Sequence, residues 1–264
     1  MPKRLILFAA LGASALLGTA AAEAQSAEPL DVFLFAGQSN MAGSGQAADL
    51  AEAMRKPSDQ VLVPDDPLKP TAWVPYTPQG RMGPEVVFCH EAARALGRPV
   101  GFVKFAIGGT NLGEQWNPDG GPLYGKFRDR VRAAQSLGNV EITAMLWMQG
   151  EKDSRIEWMA EKYVENLAKL VETARKDFRS PEMIFVCGRV NPHFPVGKVP
   201  EAAPERYPYT FTVRKAQEEL DLPRCAWVDC DDLAKHGDVL HYNSAGQIEL
   251  GKRFAAKVME VLGK

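Results

Sequence analysis

The chain lacks a basic excess: across 264 residues, 31 lysines and arginines stand against 33 aspartates and glutamates, a formal charge of −2, with no basic block. That argues against nucleic acid or an anionic membrane surface as partner. Beyond the N-terminus there is no apolar run near the roughly 20 residues needed to span a bilayer. Cysteine is scarce, and the four present (Cys89, Cys187, Cys225, Cys230) lack the C-x-x-C spacing of a zinc site. Export would permit disulfides among them in three pairings, yet buried free thiols are the simpler reading. Cys89 lies on a helical pattern, and the other three lie on or beside apolar strands. No internal repeat is present. A neutral small molecule or a glycan is the partner class left open.

The first residues read as an export signal. Lys3 and Arg4 give the positive start, Leu5 to Leu17 the apolar segment, and Ala22-Glu23-Ala24 a small-residue cleavage site before Gln25. Gly12, Ser14, Gly18 and Thr19 dilute the run, which disfavours a membrane anchor. The expectation is a signal peptide over 1–24 and a periplasmic or extracellular protein that is not inserted in the membrane after cleavage. Residues 25–264 are within the range of one domain with one core.

Five apolar, β-rich runs recur along the rest: Asp31 to Phe35, Val100 to Ala106, Ile142 to Met148, Met183 to Cys187 and Cys225 to Val228. Helical patterns separate them, at Pro84 to Leu96, Gly125 to Ser136, Ile156 to Phe178, Thr210 to Leu220 and Ala245 to Leu262. This alternation predicts an α/β protein with a five-stranded parallel sheet between helices. Ser244 and Gln247 read as a capping box for the last helix, and Gly263 as its stop. Two proline-rich stretches, Ala42 to Met82 and Asn191 to Pro208, break the rhythm. Both follow strands, and their Trp73, Tyr76, His193 and Phe194 suggest binding walls beside the sheet.

Ser39 sits where the first strand hands over to a helix, after a glycine, Gly37, that allows a sharp turn. Unpaired backbone N–H groups at a helix start point at any negative charge that develops there. A serine nucleophile needs a base, and there are only four histidines. His90 lies within a helical run, and His193 in a proline-rich loop. His236 and His241 share the segment before the last helix. His241 has the better company, since Asp238 can fold back within one turn and accept its Nδ1 proton, leaving Nε2 free to take the serine proton. Asp229, Asp231 and Asp232 compete as carboxylates, and with His236 they could suggest a metal cluster. Aspartates in a turn before a helix are ordinary, so no metal and no other cofactor is expected.

Two more strand ends complete the pattern. Trp147-Met148-Gln149-Gly150-Glu151-Lys152-Asp153 offers a glutamine amide to the oxyanion of a tetrahedral intermediate. Ile107-Gly108-Gly109-Thr110-Asn111 offers a backbone N–H with no side chain in the way. Trp116, shortly after, suits either stacking on a sugar ring or plugging its loop onto the core. Glu151 and Asp153 read as structural or orienting carboxylates at the start of the next helix.

Gly37-Gln38-Ser39-Asn40-Met41, Gly108-Gly109-Thr110, Trp147-x-Gln149-Gly150-Glu151-x-Asp153 and Asp238-x-x-His241 together resemble the SGNH hydrolases. The likeness is to their carbohydrate esterase family 6 and sialic-acid-specific acetylesterase branch, in order from Asp31 to about Leu262. The resemblance implies a three-layer α/β/α sandwich of flavodoxin-like type. It also implies metal-free removal of O-acetyl groups from carbohydrates such as acetylated xylan or sialic acid, through an acetyl-enzyme. By position it makes Ser39 the nucleophile, His241 the base and Asp238 its orienting carboxylate. The Ser39 and Gly108 N–H groups and the Gln149 side chain become the oxyanion hole. Gln38, Asn40, Gly109, Trp116, Glu151 and Asp153 are left as substrate-binding or supporting residues, with Gly109 an alternative to Gly108. The rival readings are a lipid, aryl-ester or thioester hydrolase on the same scaffold and a non-catalytic glycan-binding protein.

Overall fold

The computed structural model describes residues 28–264, so the segment read as an export signal lies outside the described residues. Strand β1 (Leu30–Gly37) leads into a four-residue helix, α1 (Ser39–Ala42). An excursion follows with β2 (Gly45–Gln46), β3 (Ser58–Pro64), β4 (Trp73–Tyr76) and β5 (Arg81–Met82). The chain then runs through α2 (Glu85–Leu96), β6 (Val100–Ala106), α3 (Pro122–Gln135) and β7 (Val140–Met148). It ends with α4 (Glu157–Glu161), α5 (Tyr163–Asp177), β8 (Ile184–Gly188), α6 (Thr210–Glu218), β9 (Cys225–Val228) and α7 (Ser244–Leu262).

The main sheet has seven strands in the order β4-β3-β6-β1-β7-β8-β9. Every neighbouring pair is parallel except β3 with β4. The five expected strands form its contiguous part, and counted among themselves they run 2-1-3-4-5, the flavodoxin-like order. β1 lies in the middle and is buried from Asp31 to Gly37, which its unbroken apolar sequence requires of a strand covered on both faces.

The strand count corrects the expectation of five, because the proline-rich stretch read as irregular contributes β3 and β4. Its prolines are tolerated by position: Pro64 ends β3, and Pro75 lies in β4 at the sheet edge, where a missing N–H costs no ladder bond on the open side. Trp73 and Tyr76 therefore do not wall a binding site. Tyr76 meets Phe102 edge to face at 4.9 Å, and Trp73 covers Gly101 on β6.

The chain moves from β1 to β6 in one direction and then crosses back to β7, so right-handed connections put helices on both faces. Helices α2 and α7 pack side by side on one face. Their backbones meet at Gly251, where a Cβ would come within 2.6 Å of the Pro84 carbonyl. On the other face Phe127 of α3 packs against Phe178, just after α5, at 5.7 Å, and the Tyr124 hydroxyl donates to Asp177.

Helix α3 starts at Pro122 and α6 ends at Glu218, a few residues from the expected bounds, and two further differences concern a break and a cap. The helix expected from Ile156 to Phe178 is divided at Lys162, and Tyr163 just after the break turns its hydroxyl inward to the Gln149 carbonyl at 2.8 Å. The cap of α7 is Asn243, whose side chain accepts the Gly246 N–H at 3.1 Å, in place of the expected Ser244 and Gln247 box. Ser244 is thereby free to accept the Gln46 N–H at 2.9 Å and to donate to Asp49, while Gln247 donates to the Asn40 carbonyl at 3.2 Å. Gly263 closes the helix in the left-handed conformation as expected. All four cysteines are free thiols, and Cys89, Cys187 and Cys230 are buried.

Candidate active site

The reversal of chain direction falls between β1 and β7, and open α/β sheets form their ligand crevice outside the carboxyl ends of such strands. At this point Gly37 has φ +141, and a Cβ on it would sit 2.2 Å from the Met148 carbonyl oxygen of β7. Only glycine lets the two strand ends lie this close. The Gln38 N–H then donates to that same carbonyl at 2.9 Å, and Ser39 emerges half-buried as the first residue of α1.

The turn between β9 and α7 brings His241 onto this serine. Its Nε2 lies 3.1 Å from Ser39 Oγ, and its Nδ1 lies 2.6 Å from Asp238 Oδ2. The other Asp238 oxygen accepts the N–H groups of Leu240 and His241, each at 3.0 Å. Folding the aspartate back in three residues places Val239 at φ +55, a left-handed conformation that costs a β-branched residue on the order of 1–3 kcal/mol. Partial burial pushes the Asp238 carboxyl up, but the two backbone N–H groups and the imidazole outweigh it. The carboxyl is held well below the usual range and stays ionised.

Asn40 ties this turn to the strand ends. Its amide donates to Glu151 at 2.8 Å and to the Leu240 carbonyl at 3.2 Å, and its Oδ1 accepts the Tyr242 N–H at 3.1 Å. The residue is buried, and its bonds hold the turn that carries His241 in place. Glu151 is also buried; burial pushes its carboxyl up against the pull of its own backbone N–H and of Asn40.

Gln149 departs from the sequence expectation. It is fully buried, and its amide nitrogen donates to Asp153 Oδ2 at 2.6 Å and to the Thr110 carbonyl at 2.9 Å, with Gln38 Oε1 at 3.3 Å. Both amide hydrogens are thus taken inside the fold, and the side chain is not aimed at the serine. Asp153 also accepts the N–H groups of Leu112 and Gly113 at 3.0 Å, which ties the glycine loop down. Burial raises its carboxyl to about 6, against these bonds.

Trp116 belongs to the same buried set. Its Nε1 donates to Thr110 Oγ1 at 3.0 Å and its ring meets Trp147 edge to face at 5.2 Å, so it plugs the loop onto the core and reaches no sugar. Gly108 and Gly109 do face the cleft. A Cβ on Gly108 would lie 3.5 Å from Ser39 Cβ, and the N–H groups of Ser39, Gly108 and Gly109 have no acceptor among the described residues.

The other histidines are elsewhere. His236 Nε2 lies 3.2 Å from the Ser44 carbonyl, His90 sits on α2, and His193 stacks on Tyr207 at 4.9 Å. Of the competing aspartates, Asp231 pairs with Arg189 and Arg214, and Asp232 with Arg253. Two hollows meet at Ser39, Gly108 and His241, one of about 330 Å³ and one of about 640 Å³. The smaller is lined by Lys152, Arg155, Arg206 and Tyr207 and the larger by Arg81 and His236. The sequence reading flagged the loop 191–208 but missed Arg206 and Tyr207 within it. A basic residue before an aromatic one in a proline-rich loop was the available signal. Lys152, at a variable position inside a recognised motif, and Arg155, just after it, carried none.

The family model for "Carbohydrate esterase, sialic acid-specific acetylesterase" matches residues 29–260. A probable carbohydrate esterase of Arabidopsis thaliana is 29% identical over 248 residues, 86% of this chain and 89% of that protein. The crystal structure of an Arabidopsis thaliana protein superposes with a TM-score of 0.73 at 25% identity, covering 88% of this chain and 98% of that one. The fold is also shared with a carbohydrate acetylesterase from Xanthomonas citri, with a TM-score of 0.64 at 20% identity over 89% of this chain and 57% of that one. With nearly all its described length matched, the chain belongs to the carbohydrate esterase family of sialic acid-specific acetylesterases.

Proposed function

We propose that this carbohydrate esterase is a serine enzyme that removes O-acetyl groups through an acetyl-enzyme on Ser39. The observation that carries the reading is the continuous chain from Ser39 Oγ through His241 to an ionised Asp238, at 3.1 and 2.6 Å. Ser39 Oγ attacks the acetyl carbonyl carbon as His241 Nε2 takes its proton, and Asp238 holds the imidazole and favours its cationic form. The oxyanion receives the N–H groups of Ser39 and of Gly108, with Gly109 the alternative donor. His241 returns the proton to the sugar oxygen as the ester bond breaks. A water that gives a proton to His241 then attacks the acetyl-enzyme, releasing acetate and restoring Ser39.

An acetate-release screen over acetylated xylan, acetylated sialic acid and a long-chain ester tests this, together with labelling by a phosphonate ester. Acetate release from carbohydrate with labelling confined to Ser39 is expected. A preference for the long-chain ester would favour a lipid hydrolase, and folded protein that takes no label would favour a glycan-binding role. The N-terminal segment supports export as part of the same reading, and a mature N-terminus at Gln25 in protein recovered outside the cytoplasm is the expected result.

A further inference from the structure

The larger hollow beside Ser39, of about 640 Å³, has a wall that carries none of the motifs. The antiparallel pair β2 and β5 builds it, with Gln46 opposite Arg81 and Gly45 opposite Met82. Opposed residues share a face of such a ribbon, and successive residues alternate between faces. Met82 therefore turns inward, fully buried in a small apolar cluster with Val86 and Val87, while Gln46 and Arg81 turn outward and line the hollow side by side. Both are exposed, and neither side chain has a hydrogen-bond or ion-pair partner among the described residues. The wall is fixed relative to His241. The Gln46 N–H donates to Ser244 Oγ at 2.9 Å, at the start of α7, and the Ser44 hydroxyl donates at 2.6 Å to the carbonyl of Tyr242, the residue after His241. A Cβ on Gly45 would lie 3.2 Å from Ser244 Cα, so the ribbon sits close on the helix start. Two free planar donor groups are thus carried on a backbone that is in place before any ligand arrives.

The two hollows share Ser39, Gly108 and His241 and no other lining residue, so they extend from the serine in two directions. An acetyl group takes up little of either. Building on the esterase reading above, we propose that Gln46 and Arg81 form a subsite for a second, neutral sugar unit, joined by a glycosidic bond to the unit that carries the acetyl ester. The preferred substrates are then acetylated units inside an oligosaccharide or polysaccharide, not free acetylated monosaccharides. Neighbouring hydroxyls of a sugar ring offer paired acceptors, and the Gln46 amide and the Arg81 fork meet them with several donors at once. Charge selects the neutral class. The lining holds one arginine and one ionised carboxylate, Asp238, whose side chain is 47% exposed, so an acidic unit is attracted by the first and repelled by the second.

Neutral trisaccharides of xylose, mannose or galactose, each acetylated on its middle unit, are compared with the matching acetylated methyl glycosides. At least one trisaccharide is expected to have about tenfold higher kcat/KM than its glycoside, mainly through KM, and that ratio should hold as salt is added, since no ion pair carries it. Gln46→Ala/Arg81→Ala is expected to bring the ratio close to one with little change in melting temperature, because both side chains are exposed and unpartnered. A second measurement needs no variant: the same trisaccharide without its acetyl group should inhibit hydrolysis of an aryl acetate about tenfold more strongly than the bare glycoside does. Equal kcat/KM within every pair, equal inhibition by the two bare sugars, or a length advantage that survives in the folded double variant would overturn the subsite. So would an advantage seen only with a uronic acid trisaccharide and erased by salt. No acetate from any of the acetylated sugars would overturn the esterase reading and the subsite with it.

Discussion

Two sets of motif residues meet at the carboxyl edge of the main sheet, and they differ in what surrounds their polar atoms. Gln149, Asp153, Thr110 and Trp116 are buried and bonded to one another or to backbone. The side chains of His241 and Asp238 are 32% and 47% exposed, and Ser39 opens onto the cleft between two hollows. The first set has no donor or acceptor to spare for a substrate, whereas the second pairs a serine with a histidine and leaves the serine accessible. A motif residue can therefore be indispensable to shape and remote from chemistry.

The sharpest test of that division is Ser39→Ala. Acetate release is expected to fall at least about a thousandfold with little change in melting temperature, because a half-exposed hydroxyl is removed. A variant with near-normal turnover would overturn the serine mechanism. Next comes a histidine pair: His241→Ala should cost nearly as much activity as the serine change, while His236→Ala should keep most of it. The reverse result would move the base to the other histidine.

Gln149→Ala should reverse the balance, losing about 2–4 kcal/mol of stability from a cavity and from the amide donor taken away from Asp153, whose oxygen keeps only the Leu112 N–H. Normal melting with a hundredfold lower kcat would instead put the Gln149 amide back in the oxyanion hole.

Asp153 gives a pH signature. Its carboxyl titrates at about 6 in the fold against 3.8 in the unfolded chain, so the folded state binds the proton more tightly. Its ionised form costs stability, on the order of 3 kcal/mol, a cost absent below about pH 4 and complete above about pH 6. Relative to Asp153→Asn, the parent protein should therefore lose stability between pH 4 and 7 in thermal melts. A constant difference across that range would show that Asp153 does not titrate there. Asp238 has the opposite sign: its depressed pKa contributes stability above the unfolded value, which is lost only in strong acid. The smallest effect is expected for Trp116→Phe, about 1 kcal/mol from the lost bond to Thr110, with KM for carbohydrate unchanged. A raised KM would mean that the tryptophan touches the sugar.

Much of this site was legible because its signals are local. The run from Asp31 to Phe35 marks a strand covered on both faces, Gly37 marks its turn, and a three-residue spacing lets Asp238 reach His241 in one turn. Other features depend on distant partners. Asp153, four residues on, takes one amide hydrogen of Gln149, but nothing near Gln149 in the chain reveals that Thr110, 39 residues away, captures the other. Pro64 and Pro75 argue against strands in isolation and fit once β3 and β4 are known to lie at the sheet edge.

The sequence by itself determined the alternating α/β order, the strand ends that carry polar residues, and the pairing of a serine with a histidine and an aspartate. These follow from hydrophobic period and short-range geometry, which a chain cannot hide. Tertiary structure alone decided which polar side chains face the cleft and which are consumed inside. It also decided that Arg155 and Arg206, 51 positions apart in the sequence, meet at one tyrosine. A side chain's free valences depend on neighbours brought by other strands, and that supply is set only when the sheet closes.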